Sequence, residues 1–296
     1  MIRDSLGNTE YWDKWTVSSE KEINDMLETI RAPSGNSSYR PQYVYEISQE
    51  NYEQMLRRYS RGDPISELPK YFLPLLDMWE KAEYLGKDVW TEEQQYIRHS
   101  WAVNLDHYIV CFWLVGLALA FNIPEDQWQR LIFLIGNDGE DTLLDKIIAT
   151  RQPDRKIGEK LCHPNPYQRL LRTIEASTEK RSDLLYDFVS HWYQELDRAA
   201  RENNAPATAM YERPYWYNYG SYSLEGGAYF GQWCVEAVAA VKAFNIDDSL
   251  CLGHKHYPGD LLRPDKPSTH KKRYDKYPMT LKATLKKWIG KHTMFE

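Results

Sequence analysis

This chain has few of the signals that mark covalent or cofactor chemistry. It has no P-loop, no Gly-x-Gly-x-x-Gly turn and no serine nucleophile elbow, so the usual markers of nucleotide hydrolysis, dinucleotide binding and serine-based acyl transfer are missing. Cysteine is scarce and scattered: Cys111, Cys162, Cys234 and Cys251 stand far apart. Two of them fall inside apolar helical patterns where a small soft side chain packs well, so reduced thiols are expected rather than a disulfide scaffold. Long apolar runs are missing too. The longest, Tyr108 to Phe121, has 14 residues, short of the roughly 20 that cross a bilayer, and reads as a fully buried helix. The first eight residues, Met-Ile-Arg-Asp-Ser-Leu-Gly-Asn, lack the basic and apolar regions of a secretory signal, so a cytoplasmic protein without membrane association is expected. There is no strand-like alternation of useful length and no fixed repeat period, which argues against a sheet protein or a regular solenoid.

What the chain does have is aromatic side chains and divided charge. Eleven Trp and 22 Tyr suit a packed interior and equally a selective contact surface. Residues 261–296 carry ten Lys/Arg against three Asp/Glu, leaving 27 basic and 40 acidic residues in the first 260. A nucleic-acid binder needs a basic face over its main surface, and this body is acidic, so direct nucleic-acid contact is not expected and a basic protein partner is.

Helical spacing accounts for nearly all the apolar residues. Tyr11, Trp12, Trp15, Ile23, Met26, Leu27 and Ile30 predict a first helix, broken by the Pro33 to Ser38 loop; Tyr52, Met55, Leu56 and Tyr59 predict a second that stops near Gly62. In the third, Pro69 and Pro74 predict a late start or a kink, and Gly86 a C-cap. A single long helix is expected from about Glu92 to Phe121, followed by one from Glu125 to Gly136, the two forming a central hairpin. Asp141 to Ala149, Tyr167 to Ala176 and Ser182 to Arg201 add three more. In the last predicted helix, opened by Tyr229 to Trp233, Phe230, Trp233, Cys234, Ala237, Val238, Val241 and Phe244 form a wide apolar stripe that Asn245 ends. The fold class expected is all-α: a multi-helix bundle of two helical subdomains packed together, 1–130 and 131–261, with a basic C-terminal extension over 262–296.

Each candidate for chemistry has a plainer alternative. Arg57, Arg58 and Arg61 could clamp an acidic group, but a helix end rich in Arg also complements its own dipole. Glu225 and Glu236 flank Gly226-Gly227 and could serve as an acid/base pair at a cleft of an all-helical hydrolase; a Glu on the edge of an apolar stripe is more often hydrogen-bonded to its neighbours. Cys251, His254 and His256, with Cys162-His163 elsewhere, match no familiar zinc spacing, and His99 and His107 stand two turns apart rather than i, i+4, so neither a metal nor any other cofactor is expected. The basic runs Lys271-Lys272-Arg273 and Lys286-Lys287 read as solvated or folded back on the acidic body.

Tyr211 to Tyr222 is a different kind of segment. It mixes Tyr and Trp with Gly, Ser and Asn between two helical regions, the composition of a binding loop in which rigid rings supply area and small polar residues adapt. Tyr215, Trp216, Tyr217, Tyr219 and Tyr222, with Glu225, are the expected contact residues, and Asp138, Glu140 and Asp141 offer a second, acidic face. The alternative is an aromatic loop that packs over the bundle.

The order of several short pieces carries a resemblance. Arg3-Asp4, Arg57-Arg58-Tyr59-Ser60-Arg61-Gly62 and the helix after Trp90 stand in the first half. Asp141-Thr142-Leu143-Leu144-Asp145, Pro166-Tyr167, Leu170, His191-Trp192-Tyr193 and the Tyr229 to Leu261 block stand in the second. Over roughly Ile2 to Leu261 the chain resembles the PoNi-type immunity proteins, bacterial inhibitors of PoNe DNase toxins that contact-dependent secretion systems deliver. The resemblance implies a protein that binds a cognate nuclease toxin and blocks its active site without catalysing a reaction. It says nothing about residues beyond Leu261, and association with a second copy of the chain stays open.

Overall fold

The computed structural model describes residues 1–33, 36–197, 213–221 and 224–273. Among them are ten α-helices and no strand: α1 Thr9–Thr29, α2 Arg40–Arg61, α3 Phe72–Gly86, α4 Glu92–His99, α5 Leu105–Phe121, α6 Glu125–Ile135, α7 Thr142–Ala149, α8 Pro164–Glu175, α9 Thr178–Glu195 and α10 Val235–Phe244. The all-α fold expected from the apolar spacing is therefore observed. No helix of the described residues is long and apolar enough to cross a membrane.

Local chemistry sets the helix ends. The Asn8 side chain accepts from Tyr11 N at 2.8 Å to start α1, and Thr91 and Gln94 close a reciprocal capping box on α4. Helix α2 ends at Gly62 with φ +98, and a Cβ there would sit 1.9 Å from Met1 O, so both the backbone angle and the packed N-terminus require glycine. Pro74 is the third residue of α3, in the first turn where its missing N–H costs nothing, so the prolines delay the helix instead of kinking it. Gly86 remains helical, and the cap is Lys87.

Three expectations are corrected. The long helix expected over Glu92 to Phe121 is two helices. Asn104 divides them: its Nδ2 donates to Ile97 O and Arg98 O at 3.3 and 3.2 Å, closing α4, while its Oδ1 accepts from His107 N at 2.9 Å, opening α5. Tyr229 to Cys234 precedes α10 as non-helical chain, because tertiary partners take up its backbone groups. Tyr229 O accepts from Tyr11 Oη at 2.7 Å, Phe230 O accepts from Ser60 Oγ at 2.9 Å, and Cys234 N donates to His256 O at 2.8 Å. Finally, the central pair is α5 with α10, not α5 with α6; α6 leans on α3, where Arg130 reaches Asp77 and Glu80.

Helix α5 is buried on every side from His107 to Leu119. Around it one continuous apolar core collects residues from both halves of the chain, from Tyr52 in α2 through Trp128 and Trp192 to Trp233 and Leu261. Gly116 lets α5 and α10 meet: a Cβ there would stand 2.9 Å from both Val235 Cγ1 and Val235 O. Residues 3 and 273, near the two limits of the described chain, clasp the same body. Arg3 pairs with Asp260 at 2.7 Å and donates to Tyr59 O and Asp63 O, and Arg273 donates to Asp4 O and Gly7 O at 2.6 and 3.1 Å. The extension therefore folds back on the body as far as Arg273, while Lys286-Lys287 lies outside the described residues.

Because the α5–α10 contact has no room for a methyl group, Gly116→Ala is expected to lower stability by about 1–3 kcal/mol. A urea midpoint that falls at unchanged slope would show it; an unchanged midpoint would mean that the two helices are not in contact there.

Candidate functional site

The aromatic segment lies where the two halves meet, and its rings divide between burial and exposure. Trp216 is a core residue, 2% exposed, with its ring 5.2 Å from Trp113 and stacked 5.9 Å from Trp192. Its neighbours are half-buried. Tyr217 stacks on Tyr193 at 4.5 Å and 10°, and Tyr193 Oη donates to Tyr217 O at 2.5 Å. Tyr219 meets Tyr215 and Phe230 edge-on. Glu225 is exposed beside Gly226, and Tyr222 lies outside the described residues. One buried indole thus anchors a short row of partly exposed tyrosines whose faces are already fixed by packing.

Tyr215 turns inward. Its backbone N donates to Asp106 Oδ1 at 3.0 Å, and its hydroxyl meets Glu53 Oε1 at 2.8 Å, Tyr52 Oη at 3.0 Å and Gln49 Nε2 at 3.3 Å. It closes one side of a cavity of about 350 Å³ formed with α2, α3, α4 and α5. Burial raises the Asp106 carboxyl to about 6 against the opposing bond from Tyr215 N. Burial also lowers His107 to about 3, helped by His99 and Arg98, so that imidazole stays neutral.

The acidic loop before α7 is largely structural. Asp141 is fully buried and caps α7: Oδ1 accepts from Leu143 N, Leu144 N and Tyr108 Oη, and Oδ2 from Cys162 N at 2.7 Å. Like Trp216, it offers no surface to a partner in this conformation. Glu140 is half-buried and accepts from Ser100 Oγ and Ala102 N, and Asp138 is exposed while accepting from Lys156 N. Asn137 Nδ2 donates to His99 O at 2.7 Å. The Asn137 to Glu140 loop therefore holds the α4–α5 connection, and Tyr215 holds the start of α5 that follows it.

The acid/base pair imagined for a hydrolase does not assemble. Glu225 is exposed, whereas Glu236 lies fully buried in the first turn of α10, accepting from Tyr167 Oη at 2.9 Å and Trp192 Nε1 at 3.3 Å. The arginines are used internally: Arg57 pairs with Glu50 and Glu53, Arg58 with Asp63 and Glu67, and Arg61 with Asp63. Burial works to raise Asp63, but Arg61 and Arg58 hold it below its ordinary value. His163 and His256 bond to Trp101 O and Gln232 O, and no group of three His, Cys, Asp or Glu among the described residues is placed to hold a metal. Sequence reasoning missed the cavity. Asp106 falls inside the single helix expected from Glu92 to Phe121 and carries no site signal there, and only the approach of Tyr215, 109 residues away, encloses it.

Glu236 makes its environment testable. Burial raises its carboxyl from 4.5 to about 7 against the bonds it accepts, so the folded chain keeps a proton that the unfolded chain releases. That contribution is fully present below about 4.5 and is lost as pH rises to about 7. Gln keeps an acceptor for Tyr167 and Trp192 but cannot ionise. Glu236→Gln is expected to match the parent near pH 4.5 and exceed it by roughly 2–3 kcal/mol at pH 8.5. A thermal-melting difference that does not change with pH would contradict this environment.

Comparison with known proteins supplies the biological frame. Residues 3–133 match the family model described as PoNe immunity protein (PoNi), N-terminal, and residues 139–261 match PoNe immunity proteins (PoNi), C-terminal. No curated protein matches. Among solved structures the chain is similar to protein PA2201 from Pseudomonas aeruginosa, with 17% identity, a TM-score of 0.62 and coverage of 89% of this chain and 90% of that one, a likeness of fold. With both halves matched in order and nearly the whole chain covered, this protein belongs to the PoNe immunity protein (PoNi) family.

Proposed function

We propose that the chain protects by binding a cognate PoNe-like DNase toxin in the cytoplasm in stoichiometric amount and covering its active site, with no reaction of its own. The observation that carries this reading is the tyrosine row pinned by Trp216. Its rings are half-exposed yet already packed against Tyr193 and Phe230, so binding costs little side-chain ordering. The acidic balance of the first 260 residues would speed encounter with a basic nuclease and favour its DNA-binding cleft as the face that is covered.

Purified protein should suppress DNA cleavage only near an equimolar ratio to the toxin; full protection at a small fraction of the toxin concentration would point to turnover. Tyr217→Ala with Tyr219→Ala should leave the fold intact and weaken the complex by about 2 kcal/mol, mainly through faster dissociation. A folded double variant with unchanged affinity would place the interface elsewhere. Asp138→Lys with Glu225→Lys should slow association at low salt, and the difference should shrink as ionic strength rises. An association rate indifferent to both reversals would remove these carboxylates from the encounter face.

A further inference from the structure

We infer that the cavity beneath Tyr215 is the receptor for one arginine side chain presented by the protein partner. This rests on the toxin-binding reading for the source of the guest, but the chemistry of the pocket stands by itself. At about 350 Å³ it is at the small end of ligand pockets, roughly 300–1,000 Å³, which suits one long side chain. Tyr45, Tyr52 and Trp79 supply aromatic walls, and Asp106 supplies the charge.

One carboxylate of the cavity has no basic partner, although Arg98 lines the same space. Arg98 is held by the face of Trp90 at 3.8 Å and by Gln42 Oε1 at 2.7 Å. His99 meets Glu83 at 3.1 Å, and Glu53 is paired with Arg57 at 3.0 Å. His107 is kept neutral by burial. Asp106 has one bond, from Tyr215 N, and no basic partner among the described residues. The positive end of α5 is worth only about half a charge and cannot fully offset the carboxylate. Asp106 is half-buried; a carboxylate that has lost part of its water and gained no cation bears a desolvation cost, and a guest cation would relieve it. The aromatic walls and the Tyr52 hydroxyl favour a planar guanidinium, which stacks and donates in several directions, over a compact ammonium. Arg98, itself a lining residue of the cavity, already makes this kind of contact, lying 5.4 Å over Tyr45.

The test uses the full chain and N-acetyl-arginine methylamide, with the neutral isostere N-acetyl-citrulline methylamide and the lysine analogue as comparisons, titrated by calorimetry. The arginine probe should bind saturably and about tenfold tighter than either comparison. Asp106→Asn, which keeps the acceptor for Tyr215 N, should abolish that preference, and Arg98→Gln should strengthen arginine binding by relieving like-charge repulsion. These opposite signs are not expected from a merely structural role. Binding should also weaken as pH falls from 7.5 to 5, because Asp106 takes up a proton. Equal binding of arginine and citrulline probes, a tighter lysine probe, or an Asp106→Asn protein that still prefers arginine would each overturn the assignment. If the probe behaves as expected but Asp106→Asn binds the cognate toxin with parent affinity, the pocket is not part of the toxin interface and the inference fails while the immunity reading stands. If the parent protein binds no nuclease toxin, that reading fails, whatever the probe does.

Discussion

Everything in this molecule depends on hiding α5. A helix without a polar face cannot lie on a surface, so it must be enclosed on all sides. Fourteen of its seventeen residues are buried. The neighbour that comes closest is α10, admitted by the bare Cα of Gly116. Since α5 lies in the segment matched to the N-terminal family model and α10 in the segment matched to the C-terminal one, neither segment can cover its own central helix alone. The shared core is therefore an interface between the halves as much as an interior.

Around that apolar centre, polar groups are buried in pairs. Asp145 meets Arg155 at 2.7 Å, Asp141 takes up four donors at the head of α7, and Ser60 binds both Phe230 O and Trp233 Nε1. Such contacts add little net stability once desolvation is counted, but removing one partner leaves a charge or dipole stranded. Their consequence here is positional. They fix the turns at the seam, so the tyrosines and the α4–α5 connection are displayed on a rigid support.

Rigidity matters to the binding role proposed for the chain. A surface that must order itself on binding gives up affinity, whereas one anchored by Trp216 and stacked on Tyr193 has already met that cost during folding. The same anchoring divides the aromatic segment into residues that hold it and residues that can touch something else. Composition alone cannot make that division, because Tyr and Trp serve both ends equally well.

The fold class, most helix ends and the burial of the Tyr108 to Phe121 run were legible in the residues, because 3.6-residue spacing, stops such as Gly62 and Asn245, and the apolar run itself are local signals. The order of short pieces from Arg3 to Leu261 was enough to suggest the family. What depended on tertiary packing was which polar and aromatic groups are spent inside. Asp141, Glu236 and Trp216 read as surface or site residues along the chain, yet each has partners from distant elements: Tyr108 for Asp141, Tyr167 for Glu236, and Trp113 for Trp216. Asp106 went the other way. Lying inside the single helix expected from Glu92 to Phe121, it carried no site signal, and it became the charged wall of a cavity only when Tyr215 closed over it. Helical periodicity records which side of an element is apolar, but long-range hydrogen bonds and the space left between elements exist only once the helices are assembled.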